Sequence, residues 1–209
     1  VIQQVAAPDP PQIAKIMDGF TGCLAFDVGG NVGQSLRVFA SRFDHVVSFE
    51  PADESFGLLA KAAEKFPNAT AVQTAVTGMD GPVTLTVQDA HIAKGQLTSA
   101  NADGQDWGKI LDRRTVPGAT LDTLAERHGT PDFIKVDVEG HDALVVLGGL
   151  RTIIERKPQL FIEVHNADLG WRIRQMIGNA YGDRLRAVRH PHYPPGSWGE
   201  SNHFWLVAT

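Results

Sequence analysis

The run Leu24-Ala25-Phe26-Asp27-Val28-Gly29-Gly30-Asn31-Val32-Gly33 constrains the fold more than any other part of the chain. An apolar stretch interrupted by one aspartate fits a buried strand, and the glycines after it allow a sharp turn with nothing between backbone and ligand. The same alternation recurs along the sequence. Further strand-like runs lie at His45–Phe49, Ala69–Ala75, Phe133–Val138, Leu160–Val164, Leu185–Val188 and His203–Val207. Helical patterns cover Val32–Ser41, Asp53–Phe66 with Asp53 as N-cap, Leu121–His128, Asp142–Glu155 and Leu169–Ile177. Val83-Thr84-Leu85-Thr86-Val87 alternates strictly and suits a hairpin or edge strand. Short apolar strands separated by helices predict an α/β fold: a doubly wound, mostly parallel sheet with an antiparallel pair at one edge. At 209 residues with 43% hydrophobic content, one domain with a real core is expected. Residues 1–20, with three prolines, read as a flap or docking segment.

In open α/β sheets ligands bind beyond the carboxyl ends of the strands, so the turn after the first strand is the expected site. Asp27 stands where a phosphate would meet an unwelcome negative charge; a carboxylate there suits an ammonium instead. Glu50, at the end of the second strand in Phe49-Glu50-Pro51, is placed to accept both hydroxyls of a ribose, with capping of the next helix as the alternative. Gln73-Thr74-Ala75-Val76 offers polar and small side chains where an adenine would lie. A nicotinamide-dependent oxidoreductase would carry the more usual Gly-x-Gly-x-x-Gly turn, and the acidic and imidazole groups described below speak against the remaining alternative, a non-catalytic cofactor-binding module acting through partners.

These residues resemble the FkbM family of S-adenosylmethionine-dependent methyltransferases. The likeness rests on Asp27-Val28-Gly29-Gly30-Asn31-Val32-Gly33, Phe49-Glu50-Pro51 and Thr120-Leu121-Asp122-Thr123-Leu124. It continues through Ile134-Lys135-Val136-Asp137-Val138-Glu139-Gly140-His141-Asp142 and Phe161-Ile162-Glu163-Val164-His165. The resemblance implies a class I methyltransferase (Rossmann-like) sheet, S-adenosylmethionine as cofactor and O-methylation of hydroxyls on sugars, polyketides or other small metabolites. It implies that Asp27, Gly29, Asn31 and Gly33, with Gly30 beside them, line the methionine end, that Glu50 and Pro51 border the ribose, and that Thr74 and Ala75 border the adenine. The chain has Asp142 where the family often has Glu, a change expected to alter only a helix contact. Little precedes the first strand here, so an N-terminal substrate-holding part is expected to be reduced or truncated.

Methyl transfer to a hydroxyl needs an in-line approach and a way to remove a proton. Asp137, Glu139, His141, Glu163 and His165 follow two strands expected to be neighbours, which brings them to one rim. Either His165 or Glu139 takes the proton, or Asp137, Glu163 and His165 hold a divalent ion that acidifies the acceptor. The structural alternative is that Asp137 and Glu163 cap helices or bind the cofactor amine; His141 reads as a first-turn helix residue. The polar stretch Asp89–Thr115, with Trp107, reads as a substrate loop. The run from His190 to Trp198 is expected either to close over the acceptor or to rest on the sheet edge. A formal charge of −5 and a pI near 5.9 argue against a nucleic-acid partner, though Lys109, Arg113 and Arg114 make a local basic cluster. A lone Cys23, read as a small buried hydrophobe, and no apolar run long enough for a membrane span make a cytoplasmic location the expectation.

Overall fold

The computed structural model describes residues 17–88, 110–190, 193, 196, 197, 199 and 202–209. The strands are β1 (Gly22–Val28), β2 (Phe43–Phe49), β3 (Ala69–Val72), β4 (Ala75–Thr77), β5 (Gly81–Gln88) and β6 (Ile110–Thr120), then β7 (Phe133–Val136), β8 (Gln159–Val164), β9 (Arg186–Arg189) and β10 (Phe204–Ala208). The helices are α1 (Leu36–Ala40), α2 (Asp53–Ala63), α3 (Leu121–His128), α4 (Asp142–Leu147), α5 (Leu150–Arg156) and α6 (Ala167–Tyr181).

Seven strands form the main sheet in the order β3-β2-β1-β7-β8-β10-β9. All pairings are parallel except those of β10, which runs against both β8 and β9. The reversed strand therefore lies one in from the edge. Successive strand residues alternate between two cores: Ala25, Val46 and Phe133 face α1 and α2, whereas Phe26, Val47 and Ile134 face α3, α4, α5 and α6. Apolar side chains on both faces are what a parallel sheet covered by helices requires. Strand order reverses between β1 and β7, and the cleft opens there.

Several sequence expectations are corrected. The helix expected from Val32 begins only at Leu36, because Asn31 (φ 48°) and Gly33 (φ 87°) are left-handed and hold the chain in a turn. Asp53 is the first helical residue of α2 rather than its cap; Ala52 occupies that position. The stretch Ala69–Ala75 divides at Gln73-Thr74, and β4 joins a separate three-stranded sheet, β4-β6-β5, that the sequence reading did not anticipate. In it Val83–Val87 forms the expected edge strand. Residues 110–115, expected in the substrate loop, belong to β6; the rest of that loop, Trp107 included, lies outside the described residues. Residues 1–16 lie outside as well, while Met17 and Phe20 pack into the core, Phe20 against Phe133. Cys23 is exposed, not buried. A hydrogen bond and charge from Asp44, with the charge of Asp132, push its thiol pKa up, away from nucleophilic chemistry. No helix among the described residues is long and apolar enough to cross a membrane.

Candidate active site

The register between strands assembles the floor of the cleft. Asp27 on β1 pairs with Ser48 on β2 and with Lys135 on β7, so the three side chains sit in a row on one face of the sheet. Asp27 is fully buried. Its Oδ2 accepts a 2.8 Å hydrogen bond from Ser48, and its Oδ1 lies 3.2 Å from the Lys135 ammonium. Lys135 also donates to the Gly29 carbonyl at 3.0 Å and lies 3.5 Å from Asp137. Burial pulls the Lys135 pKa down, but the charges of Asp27 and Asp137 push it up further, so the lysine stays charged. Asp27 was expected to meet the ligand's ammonium. It lies instead beneath the turn, neutralised by a lysine to which the sequence reading gave no role.

The turn above this floor is shaped by close approach. A Cβ on Gly29, whose φ is +82°, would stand 1.9 Å from the Asp137 carbonyl, and one on Gly30 would stand 2.0 Å from Ser48 Oγ. Gly29 borders the cleft. Gly30 and Gly33, expected to line it, face Ser48 and Ala62 instead and serve packing.

Asn31 and Glu50 line one end of the cleft. Glu50 is buried, and each of its oxygens accepts one backbone N–H at 3.0 Å, from Asn31 and from Ala52. It thus holds its orientation before any ligand arrives. Burial raises its pKa to about 7, opposed by the two backbone hydrogen bonds and by Lys135. The Asn31 side-chain oxygen is buried without a hydrogen-bond partner, an arrangement that a donor on a ligand would relieve. Pro51, Thr74 and Ala75 border the cleft as expected. Packed against Ala75 stands an apolar wall of Val83, Leu85 and Val116 from the second sheet. The alternation in β5 was visible in the sequence; that it faces the site was not, because this depends on how the small sheet docks.

At the other end Asp137 and Glu139 line the cleft, Glu139 with a left-handed backbone (φ 53°) of the kind that clusters at functional sites. His165 and Glu163 stand behind them and do not border the cleft. His165 Nε2 lies 3.4 Å from Glu139 and 3.7 Å from Asp137. Its Nδ1 is 3.0 Å from Asp142, a fully buried carboxylate that also accepts the Val138 N–H. The expectation that Asp142 makes only a helix contact is therefore corrected: it orients the imidazole. Burial lowers the His165 pKa, but Asp142, with Glu139 and Asp137, raises it to about 10. The surrounding carboxylates thus favour the protonated form of the imidazole. Asp137 is pushed up by burial and by the charge of Glu163.

Glu163 Oε1 lies 2.8 Å from His203 Nε2 and 3.5 Å from His190 Nε2. These imidazoles hold the Glu163 pKa well below the usual range, against its burial. His203 was read only as a strand residue, and the return of β10 beside β8 is what delivers it. His190 is buried against Trp205 instead of covering the cleft; Trp198 lies outside the described residues. His141, also bordering the cleft, sits at the start of α4 and pairs with Thr77 at 2.9 Å. Arg114 is engaged by Glu54 and Asp112, which removes it from any free basic groove; Arg113 is exposed, and Lys109 lies outside the described residues.

The Methyltransferase FkbM domain matches residues 27–185, a span that includes both ends of this cleft. The chain belongs to the FkbM methyltransferase family. A curated relative, the hexuronic acid methyltransferase AglP of Haloferax volcanii, is 24% identical over 141 residues, 67% of this chain and 55% of the relative. The chain thus spans about half the length of the curated relative it matches. The crystal structure of an FkbM methyltransferase from Methylobacillus flagellatus superposes with a TM-score of 0.59 at 17% identity, over 90% of this chain and 44% of that one. Aeropyrum pernix fibrillarin, solved with natively bound S-adenosyl-L-methionine, gives a TM-score of 0.52 at 11% identity, over 95% of this chain and 74% of that one. These likenesses show that the FkbM domain described here has the class I methyltransferase fold.

Proposed function

We propose that this FkbM domain transfers a methyl group from S-adenosylmethionine to a hydroxyl of a small, sugar-type acceptor. The observation that carries the reading is Glu50: a buried carboxylate, fixed by two backbone N–H groups, at the mouth of β2 on the same cleft as Asn31. A carboxylate so placed would accept hydrogen bonds from ribose hydroxyls, the Asn31 oxygen would accept from the ligand's ammonium, and Val83, Leu85 and Val116 would cover the adenine. The cofactor supplies a methyl carbon made electrophilic by a positive sulfur. Asp137 and Glu139 hold the acceptor at the opposite end. Glu139 would take the acceptor O–H proton, leaving the oxygen to receive the methyl group that a bound cofactor would supply. His165, within 3.4 Å of Glu139 and 3.7 Å of Asp137, fixes their positions. The acidic, hydroxylated acceptor class named for the Haloferax relative is the first to test here.

Calorimetric titration with S-adenosylmethionine and with NAD, followed by transfer of labelled methyl to a panel of uronic acids, neutral sugars and phenols, checks the proposal. Binding of the first ligand alone, with label entering a sugar acceptor, is the expected result. Preferential binding of NAD would overturn the cofactor assignment, and binding without transfer would favour a non-catalytic module.

A further inference from the structure

Behind the cleft, two imidazoles and a carboxylate converge from different strands. The donor atoms of Glu163, His165 and His203 all lie within 4.8 Å of one another, and those of Asp137, Glu139 and His165 form a second such group. The sequence-based grouping of Asp137 with Glu163 and His165 is thus divided, with His203 joining Glu163. We propose that Glu163, His165 and His203 form a binding site for one first-row divalent cation, of the zinc, manganese or cobalt type.

The chemistry of the donors decides the class of ion: two imidazoles with one carboxylate favour such metals over magnesium or calcium. The spacing fits. Bonds of about 2.1 Å put neighbouring donors about 3 Å apart and opposite ones about 4.2 Å apart. The Glu163–His203 separation is 2.8 Å, close to the first of these values, and a donor of His165 lies within 4.8 Å of both. The other ring nitrogen of each histidine is already held, His165 Nδ1 by Asp142 and His203 Nδ1 by the Tyr193 hydroxyl, each at 3.0 Å. Outer partners of this kind fix tautomer and ring orientation in metal sites. His165 Nε2 also faces Asp137 and Glu139, the carboxylates that line the cleft in front of this group. The site rests on this side-chain geometry and not on the methyl-transfer reading.

The 209-residue chain, stripped with a chelator, is titrated separately with Zn²⁺, Mn²⁺ and Co²⁺ by calorimetry, with the visible absorption of bound Co²⁺ as a second readout. One ion per chain is expected, with affinity reduced at least about tenfold in Glu163→Gln and in His203→Gln while both still bind S-adenosylmethionine. Asp142→Asn is expected to weaken the ion and shift the Co²⁺ spectrum. Glu50→Gln is expected to bind the cofactor more weakly and keep the ion, which separates this site from the cofactor assignment. No binding of any of the three ions, or binding undisturbed by both ligand variants, overturns the proposal. Circular dichroism establishes that each variant is folded, and if His203→Gln is not, Glu163→Gln decides.

Discussion

At the residue scale, the most informative groups are those whose neighbours contradict their ordinary chemistry. Glu50 is a carboxylate whose pKa rises to about 7 because burial outweighs its two hydrogen bonds. Folding then binds its proton more tightly than the unfolded chain does, so its contribution to stability is full below about 4.5 and is lost as pH rises toward 7. Glu50→Gln lacks this loss. The difference in melting temperature between variant and wild type is expected to move in favour of the variant from pH 4.5 to 7 and then level off, as read by thermal melts. The variant should also bind S-adenosylmethionine at least about tenfold more weakly, since it loses an acceptor for ligand hydroxyls. His165→Ala is expected to cut turnover by about 100-fold or more with cofactor affinity retained; near-wild-type turnover would remove His165 from the mechanism. Asp142 acts through His165 and is a positioning residue. Asp142→Asn should lower turnover about 10- to 100-fold, and Asp142→Glu, which keeps the charge, should restore much of it; failure of that rescue would point to packing alone.

At the scale of elements, the sequence is legible where a pattern is local and silent where docking decides. The apolar runs of β1, β2, β7 and β8 mark buried strands, and the Val-Thr-Leu-Thr-Val alternation marks β5 as an edge strand, because burial follows directly from side-chain period. The helical pattern Asp142–Glu155 conceals two helices, α4 and α5, that part at Gly148-Gly149. The break answers to a distant neighbour: a Cβ on Gly148 would lie 2.2 Å from the Thr77 carbonyl. The site divides in the same way. Glu50 and Asn31 are readable from the turn that carries them. His203 and the apolar wall depend on strand order, and the burial of Asp27 depends on Lys135 across the register. The turn itself is tested by Gly30→Ala, whose new methyl would need the 2.0 Å gap to Ser48 Oγ. Overpacking of this kind is expected to cost about 1–3 kcal/mol, measured by denaturant unfolding, and to displace Ser48 from Asp27. An unchanged midpoint would show that the turn is looser than this packing implies.

At the scale of the whole molecule, the cleft lies between the main sheet and the small one, so a ligand that fills it ties Val83, Leu85 and Val116 to the turns after β1, β2 and β7. A ligand binding only the folded chain raises stability by RT ln(1 + [L]/Kd), about 2.7 kcal/mol at one hundred times Kd. For a domain of this size each kcal/mol moves the melting temperature by about 2–4 °C, which gives a rise of about 5–11 °C. S-adenosylmethionine and S-adenosylhomocysteine should both produce it, because Glu50 and Asn31 address parts common to the two. NAD should produce none. In Glu50→Gln the rise should shrink at the same ligand concentration, since Kd grows while the cleft keeps its apolar wall. A shift of equal size in wild type and variant would mean that the ligand stabilises the chain from somewhere other than this cleft, and the placement of the adenosyl group between the two sheets would be wrong.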